Sequence, residues 1–502
     1  MIKLTSYLGF LLLVSGGLRG QSTGSWAGYA RDSQHTGVSP VAAQPLNRIK
    51  WSRPVDLELQ NTPGPLSVHY GSPLVTASNT VIISVRTSES DTFRLDVVNG
   101  ADGTLKYSLE SAWTPPDHNW TPVFAPVLTP ANRLYYPGPG GTVLFRDQPD
   151  GADGSAGQIA FFGNAVYGAD PGAFDSTVQI ATPIVSDCCG DIFFGIRVSG
   201  TNPAGLASGI ARISADGTGS YITALAASGG DGSISSIPLN CAPALSLDDL
   251  TLYFAVSTGS NGDGYLVSVN SRSLAPVAHA RLFDPAFGTF AAVIDDSSAS
   301  PTVGPDGDVY FGVYATSCCT NQDKGWLLHF DKTLTQARTP GAFGWDDTTS
   351  IVPSAMVPSY NGTSSYLLFS KYNNPSETGG DGINRIAILD PNATQIDATT
   401  GVAVMREVMT LAGMTPDGDP ESDPDGSVRE WCVNSAAVDP ITKSVIASSE
   451  DGVVYRWDLT SNTFTESLRL ADGTGETSTP TVIGVDGTGY AISNAVLFAF
   501  GQ

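Results

Sequence analysis

Positive charge is scarce in this sequence: 25 Lys and Arg stand against 49 Asp and Glu among 502 residues, a formal charge of -24. A field of that sign repels a phosphate backbone or an anionic lipid surface, so nucleic acid is not an expected partner. The acidity reads instead as a solvated surface that keeps the chain soluble. Long apolar runs are missing as well. Beyond Tyr7 to Val14 no stretch approaches the roughly 18 uninterrupted apolar residues of a membrane span, and the first cysteine is Cys188, so no early thiol is available for a lipid. The five histidines show no metal-ligand spacing, and His329, alternating with apolar neighbours in LLHFD, reads as a strand residue. No Gly-x-Ser-x-Gly elbow, phosphate loop, His-Glu-x-x-His or Cys-x-x-Cys pair stands in a fitting context, which counts against hydrolase and nucleotide chemistry.

What the chain does have is punctuation, with 55 Gly and 33 Pro around 41% hydrophobic residues, the balance of a many-stranded β protein without long helices. The segment Val309 to Asp331 shows the unit: a β-branched and aromatic run, a polar loop with Gly, then a second apolar run closing in Asp. Ser300 to Val303 precedes it as a strand, and Leu334 onward can supply a fourth. A pair ending in Pro opens successive units at Ser72-Pro73, Ala125-Pro126, Thr182-Pro183, Ala242-Pro243, Ser300-Pro301, Val352-Pro353 and Thr479-Pro480, with a version lacking Pro near Asn434. Proline is tolerated at the first residue of a strand, where no ladder donor is required.

A period somewhat above about 50 residues with four short strands per unit calls for a propeller rather than a solenoid. The units number eight, with seven blades as the alternative because the second repeat is weak and the sixth long. The last unit has three strand candidates before VLFAFGQ, while NRIKWSRPV (Asn47 to Val55) has no sheet of its own. Pairing the two completes the eighth four-stranded antiparallel blade and removes an exposed edge. The expected fold is therefore an all-β, eight-bladed propeller closed by its N- and C-terminal strands. Such topology puts the first-to-second and third-to-fourth turns at one end, and the long second-to-third loops and blade connections at the other, which is the end where function is expected.

Residues 1–20, with Lys3, the apolar Tyr7 to Val14 and the small residues Ser15 to Gly20, have the layout of a secretory signal peptide. A secreted or periplasmic single propeller domain over 21–502 is expected, as a monomer. After the leader come Trp26, Tyr29, Asp32, His35-Thr36-Gly37 and a strand around Trp51. Together with Asn99 to Tyr107, which is close to the D-x-x-T-G-x-x-x-W ending of such repeats with Tyr107 in place of Trp, this pattern resembles PQQ-like β-propellers, the quinoprotein alcohol dehydrogenase-like group. The resemblance extends over essentially all of the mature chain.

That resemblance implies a quinone cofactor, PQQ, with a divalent cation, a carboxylate or His base, and an aromatic platform. It also implies a disulfide between adjacent cysteines beside the quinone. Two adjacent pairs occur. Cys318-Cys319 falls in a second-to-third loop on the functional face, while Cys188-Cys189 falls in a short turn at the opposite end; a loop clip, or cross-links from the pairs to Cys241 and Cys432, are alternative readings. Candidate cofactor contacts are Cys318, Cys319, Trp345, Asp346, Asp295 and Arg197, with Arg86, Asp296 and Asp347 as further choices. Trp113, Trp120, Phe287 and Trp345 read equally well as plugs of the channel mouth or covers for blade edges. Glu421, Asp423 and Asp425 place oxygens at alternate positions like the front of a calcium loop, but Cys432 stands where its closing Glu belongs; a solvated insertion accounts for the same residues. The glycine-rich tryptophan-docking repeat of the full alcohol dehydrogenases is mostly absent, and the chain is shorter than those enzymes. A binding or scaffold module presenting its loop-rich face to a protein, glycan or small ligand is thus the first expectation. A PQQ- and calcium-dependent oxidoreductase acting on alcohols or sugars is the second.

Overall fold

A computed structural model describes residues 24–59, 66–315, 324–374, 380–416, 427–471 and 480–502. The leader, Cys318, Cys319, Glu421, Asp423 and Asp425 lie outside the described residues. Eight antiparallel sheets follow one another along the chain. Their innermost strands are Leu74–Val75, Val127–Leu128, Val185–Ser186, Ala244–Leu245, Thr302–Val303, Ser350–Pro353, Ala437–Asp439 and Val482–Ile483, and we number the blades 1 to 8 in that order. Seven-blade counting is thereby excluded. No helix among the described residues is long and apolar enough to cross a membrane.

Position in the blade decides burial. The second strand of blade 1, Thr80–Arg86 (TVIISVR), is buried at every residue, because neighbouring blades cover both faces of the sheet. The outermost strand of blade 7, Thr463–Arg469 (TFTESLR), alternates exposed and half-buried residues, as a strand with one solvated face does. Asn79, Asn132 and Asp249 take left-handed backbone angles in the tight turns between first and second strands, where Asn and Asp are the cheapest residues after Gly.

The ring closes as the orphan strand predicts. Arg48–Pro54 pairs with Val496–Gly501, with Trp51 opposite Ala499. The Trp51 indole donates to the Gly100 carbonyl at 2.9 Å, and a Cβ on Gly103 would lie 2.7 Å from its ring. Blade 1 therefore seats its outer turn on the closing strand only because that position is glycine. One expectation fails. Blade 5 has three strands, and the chain after Leu334 adds only isolated bridges, Phe330 with Ala337 and Leu327 with Gly341.

Residues 24–44 form a strap around the inner rim. Trp26 exchanges hydrogen bonds with Val75, and the amides of Leu128, Leu245, Val303, Ile351 and Val438 donate to the carbonyls of Ala27, Ser33, Gln34, Thr36 and Gly37 at 2.7–2.9 Å. The inward edges of the innermost strands would otherwise be left with unpaired amides in the channel. Gly37 cannot carry a side chain, since a Cβ there would meet the Ala436 carbonyl at 2.7 Å and the Ser350 hydroxyl at 2.9 Å. The motif Trp26 to Gly37 is thus a seam that ties blades together at the axis.

Candidate functional site

At the end where connections enter the innermost strands, polar side chains from six blades meet around the axis. Tyr29 rises from the strap to join them. Its hydroxyl lies 3.0 Å from the Ser298 carbonyl and 2.8 Å from the Thr348 hydroxyl, and it also meets the Asn434 amide oxygen. Burial holds this phenol well above its ordinary range, so it stays protonated.

Two ion pairs flank this centre. Arg197, on the second strand of blade 3, pairs with Asp295 and donates to the Ile237 carbonyl at 2.7 Å. Asp295 also accepts from the Leu239 amide at 3.1 Å. On the other side Lys371 stands 3.5 Å from Asp346, a pair nearly out of solvent, with side chains 4% and 12% exposed. Asp346 accepts from the Ser298 amide and hydroxyl at 2.7 and 2.6 Å and from the Asn434 amide at 3.5 Å. Burial works to raise the Asp346 carboxyl, but Lys371, His69 and the Ser298 donors outweigh it and hold it below the usual carboxylate range. Burial likewise opposes the charge on Lys371, and Asp346 more than restores it. The pair is therefore ionic.

Asp347 differs. Burial pushes its carboxyl up to about 7, only partly offset by Lys371 and the Ser370 hydroxyl, which donates to it at 2.6 Å. His69 lies across the mouth, 3.0 Å from the Asp296 carbonyl, with its ring 5.4 Å from that of Trp120. Its burial lowers its basicity in spite of Asp346 and Asp296, so it is neutral near pH 7. Asn240 bridges the two halves, donating to the carbonyls of Asp295 and Ser297 and accepting from the Val123 amide. Asp346 has a φ of 48°, a left-handed conformation that aspartate adopts more readily than most residues.

Of the sequence candidates, Arg197, Asp295, Asp296, Asp346 and Asp347 converge here. Trp345 is close by, but its ring packs 5.0 Å from Tyr314 and backs onto a void of about 10 Å³, too small for more than a water. Trp120 sits at the mouth, whereas Trp113 covers the edge between blades 1 and 2 against Phe93 and Phe124. Phe287 does neither and is 53% exposed. Arg86 is committed elsewhere: buried, it holds Asp56, Asp91 and the Glu58 and Glu89 carbonyls. Cys188 and Cys189 lie in the turn at the opposite end, exposed and with no disulfide between them, their sulfurs 3.6 Å apart. Neither Cys188 nor Cys189 is in a disulfide, so the cross-links from this pair to Cys241 and Cys432 are not formed. His69, Lys371, Asn240 and Asn434 were missed. Asn240 and Asn434 occupy matching places just ahead of an innermost strand, so comparing repeat against repeat was the signal available.

The donor types fit a quinone acid held with a hard cation. Lys371 and Arg197 are cations for acid groups, and Asp295, Asp296 and Asp346 outnumber those two even when Asp347 is protonated. Two buried polar atoms of the network, Nδ1 of His69 and Oδ1 of Asp347, have no partner. No group of three or more His, Cys, Asp or Glu placed to hold a metal occurs among the described residues, so a cation would draw on amide or carbonyl oxygens as well.

No family model matches the chain, and no curated protein matches it. Solved structures do. A europium-containing methanol dehydrogenase superposes with a TM-score of 0.58 at 9% identity, covering 96% of this chain and 99% of that one. The quinohemoprotein alcohol dehydrogenase from Comamonas testosteroni gives 0.56 at 10% identity, covering 97% and 82%. A quinohemoprotein alcohol dehydrogenase from Pseudomonas putida HK5 gives 0.52 at 12% identity, covering 96% and 76%. Fold and axial mouth together define an eight-bladed β-propeller whose polar site lies on its axis. It shares that eight-bladed fold with these three dehydrogenases.

Proposed function

We propose that this chain is a PQQ- and calcium-dependent oxidoreductase of alcohols or sugars, working outside the cytoplasm with the axial mouth as its site. The observation that carries this reading is the convergence on one axis of two buried ion pairs, a neutral histidine and a carboxyl poised near neutrality. Structural likeness over nearly the whole chain to dehydrogenases supports it. PQQ, when bound, supplies a two-electron acceptor. Lys371 and Arg197 hold its acid groups, and Asp296, Asn240 and the neighbouring carbonyls supply oxygen to the cation. Asp347 is the side chain of this network able to take up and release a proton at working pH. Tyr29 closes the inner end of the mouth.

A binding module is the second reading. It is favoured by the fact that Asp295 and Asp346 are already matched by Arg197 and Lys371, so the mouth holds together with nothing added. Purified protein mixed with PQQ and Ca²⁺ separates the two. The enzyme acquires the quinone's absorbance and reduces an artificial dye with alcohols or aldoses, and Lys371→Gln loses both. Absence of both signals with the native chain refutes the oxidoreductase and leaves the binding module.

A further inference from the structure

A cavity opens at the opposite end of the channel. Where the strap turns between Gly28 and Arg31, it walls a cavity of about 160 Å³ beside the inner strands of blades 1 to 3. Its apolar walls include Val127 and Val185, and its polar lining includes Arg31, Asp150 and Asp187. That combination, an apolar cleft with a few converging polar groups, is the ordinary form of a small-molecule site.

Arg31 is held there under strain. Ala30 and Arg31 have φ of 43° and 82°, two successive non-glycine residues in left-handed backbone, a conformation that costs on the order of 1–3 kcal/mol per residue unless the surroundings enforce it. The turn sends Tyr29 up the axis and sets Arg31 against the cavity. One nitrogen, Nη1, pairs with Asp32 at 3.0 Å, whereas Nε is buried and has no partner. Because Nε is closed off, Arg31 offers the cavity its positive charge and its outer nitrogens rather than a two-bond edge. A simple anion is nevertheless a poor fit. Asp150 accepts from Thr76 and Asn132 and is held below the usual range by those donors, so the lining carries more negative than positive charge.

We infer that this cavity binds a small α-amino acid, its carboxylate against the Arg31 guanidinium and its ammonium toward Asp187 and Asp150. A zwitterion answers both signs of charge at once. The volume agrees, since a cavity of about 150 Å³ holds a ligand of benzene's size, which admits glycine, alanine, serine or valine and excludes tryptophan. Burial and the nearby Asp191 keep the Asp187 carboxyl above its ordinary value, a cost that a ligand ammonium relieves.

The test is calorimetric titration of the full-length protein with glycine, alanine, serine and valine, beside propionate and propylamine as single-charge controls. At least one amino acid gives saturable heat and raises the melting temperature, and both controls bind at least about ten-fold more weakly. Arg31→Ala removes the positive charge and weakens binding by a similar factor. Ala77→Trp, placed on an exposed turn residue of the cavity wall, blocks entry without disturbing the fold, which an unchanged melting temperature verifies. Absence of binding by all four amino acids overturns the inference, as does binding untouched by both substitutions or propionate binding as tightly as alanine. Lys371→Gln at the mouth leaves the titration unchanged, so this result is read independently of any cofactor.

Discussion

Removing the Trp51 side chain tests the closure of the ring. Trp51 is 9% exposed, its ring centroid lies 5.7 Å from that of Tyr490, and its indole donates to Gly100. Truncating a buried tryptophan to alanine costs about 3–5 kcal/mol. Trp51→Phe keeps much of the apolar contact and loses the hydrogen bond, so it should cost about 1–2 kcal/mol. Against a total stability of about 5–15 kcal/mol, Trp51→Ala removes a large share. The loss should concentrate at the seam, because the same residue anchors the closing strand to blade 8 and seats the outer turn of blade 1. Freed from Arg48–Pro54, the edge of Val496–Gly501 presents VLFAFG to other molecules. Urea unfolding followed by the remaining tryptophans measures the first effect, and size-exclusion chromatography of the folded variant measures the second. A Trp51→Ala protein within about 1 kcal/mol of the parent, eluting as the parent does, would refute the claim that this strand clasps the wheel.

Three further outcomes follow from buried charge. Asp347 titrates near 7 in the folded protein and near 3.9 unfolded; a raised folded value stabilises fully below the lower figure, and that stabilisation is lost as pH rises toward 7. Asp347→Asn should therefore flatten the decline in melting temperature between about pH 4 and pH 7, and an unchanged slope would refute the assignment. Arg86→Ala strands the buried Asp56 carboxylate that it now contacts at 3.1 Å and should cost about 3–5 kcal/mol in chemical unfolding; a loss below about 1 kcal/mol contradicts the network. The Cys188 thiol is pushed up to about 12, first by its contact with Asp249 and then by burial and Cys189, so Asp249→Asn should speed alkylation of Cys188 near pH 8 through a larger thiolate fraction. Peptide mass mapping over a time course reads the rate, and equal rates in both proteins would refute that cause.

The legible part of this protein was the part written in repeats. A Pro marker, an alternating run and a closing Asp recur because every blade meets the same demand, to bury the faces of its inner strands against two neighbours. The homeless strand around Trp51 announced its partner for a related reason, since an unpaired apolar edge is unstable in water. Blade 5 failed the pattern at its fourth strand because Thr333, Thr335 and Gln336 turn back onto the carboxylate of Asp331, and such side-chain capping competes with a ladder. The site was half legible. Asp295-Asp296 and Asp346-Asp347 stood out as pairs, whereas Lys371 is one residue in an otherwise ordinary strand and His69 is one of five scattered histidines. Their meaning lies in what faces them across the axis, which no local spacing encodes.

The strap carries that reasoning one step further. Residues 24–44, which read as an opening motif, supply the partners for innermost strands only two to four residues long, and strands that short cannot order a channel alone. Because the same turn aims Tyr29 at the Ser298, Thr348 and Asn434 cluster and Arg31 at the opposite cavity, the two ends of the channel share one rigid element. A substitution that relaxes the left-handed turn at Ala30 and Arg31 therefore shifts the backbone on which both side chains stand.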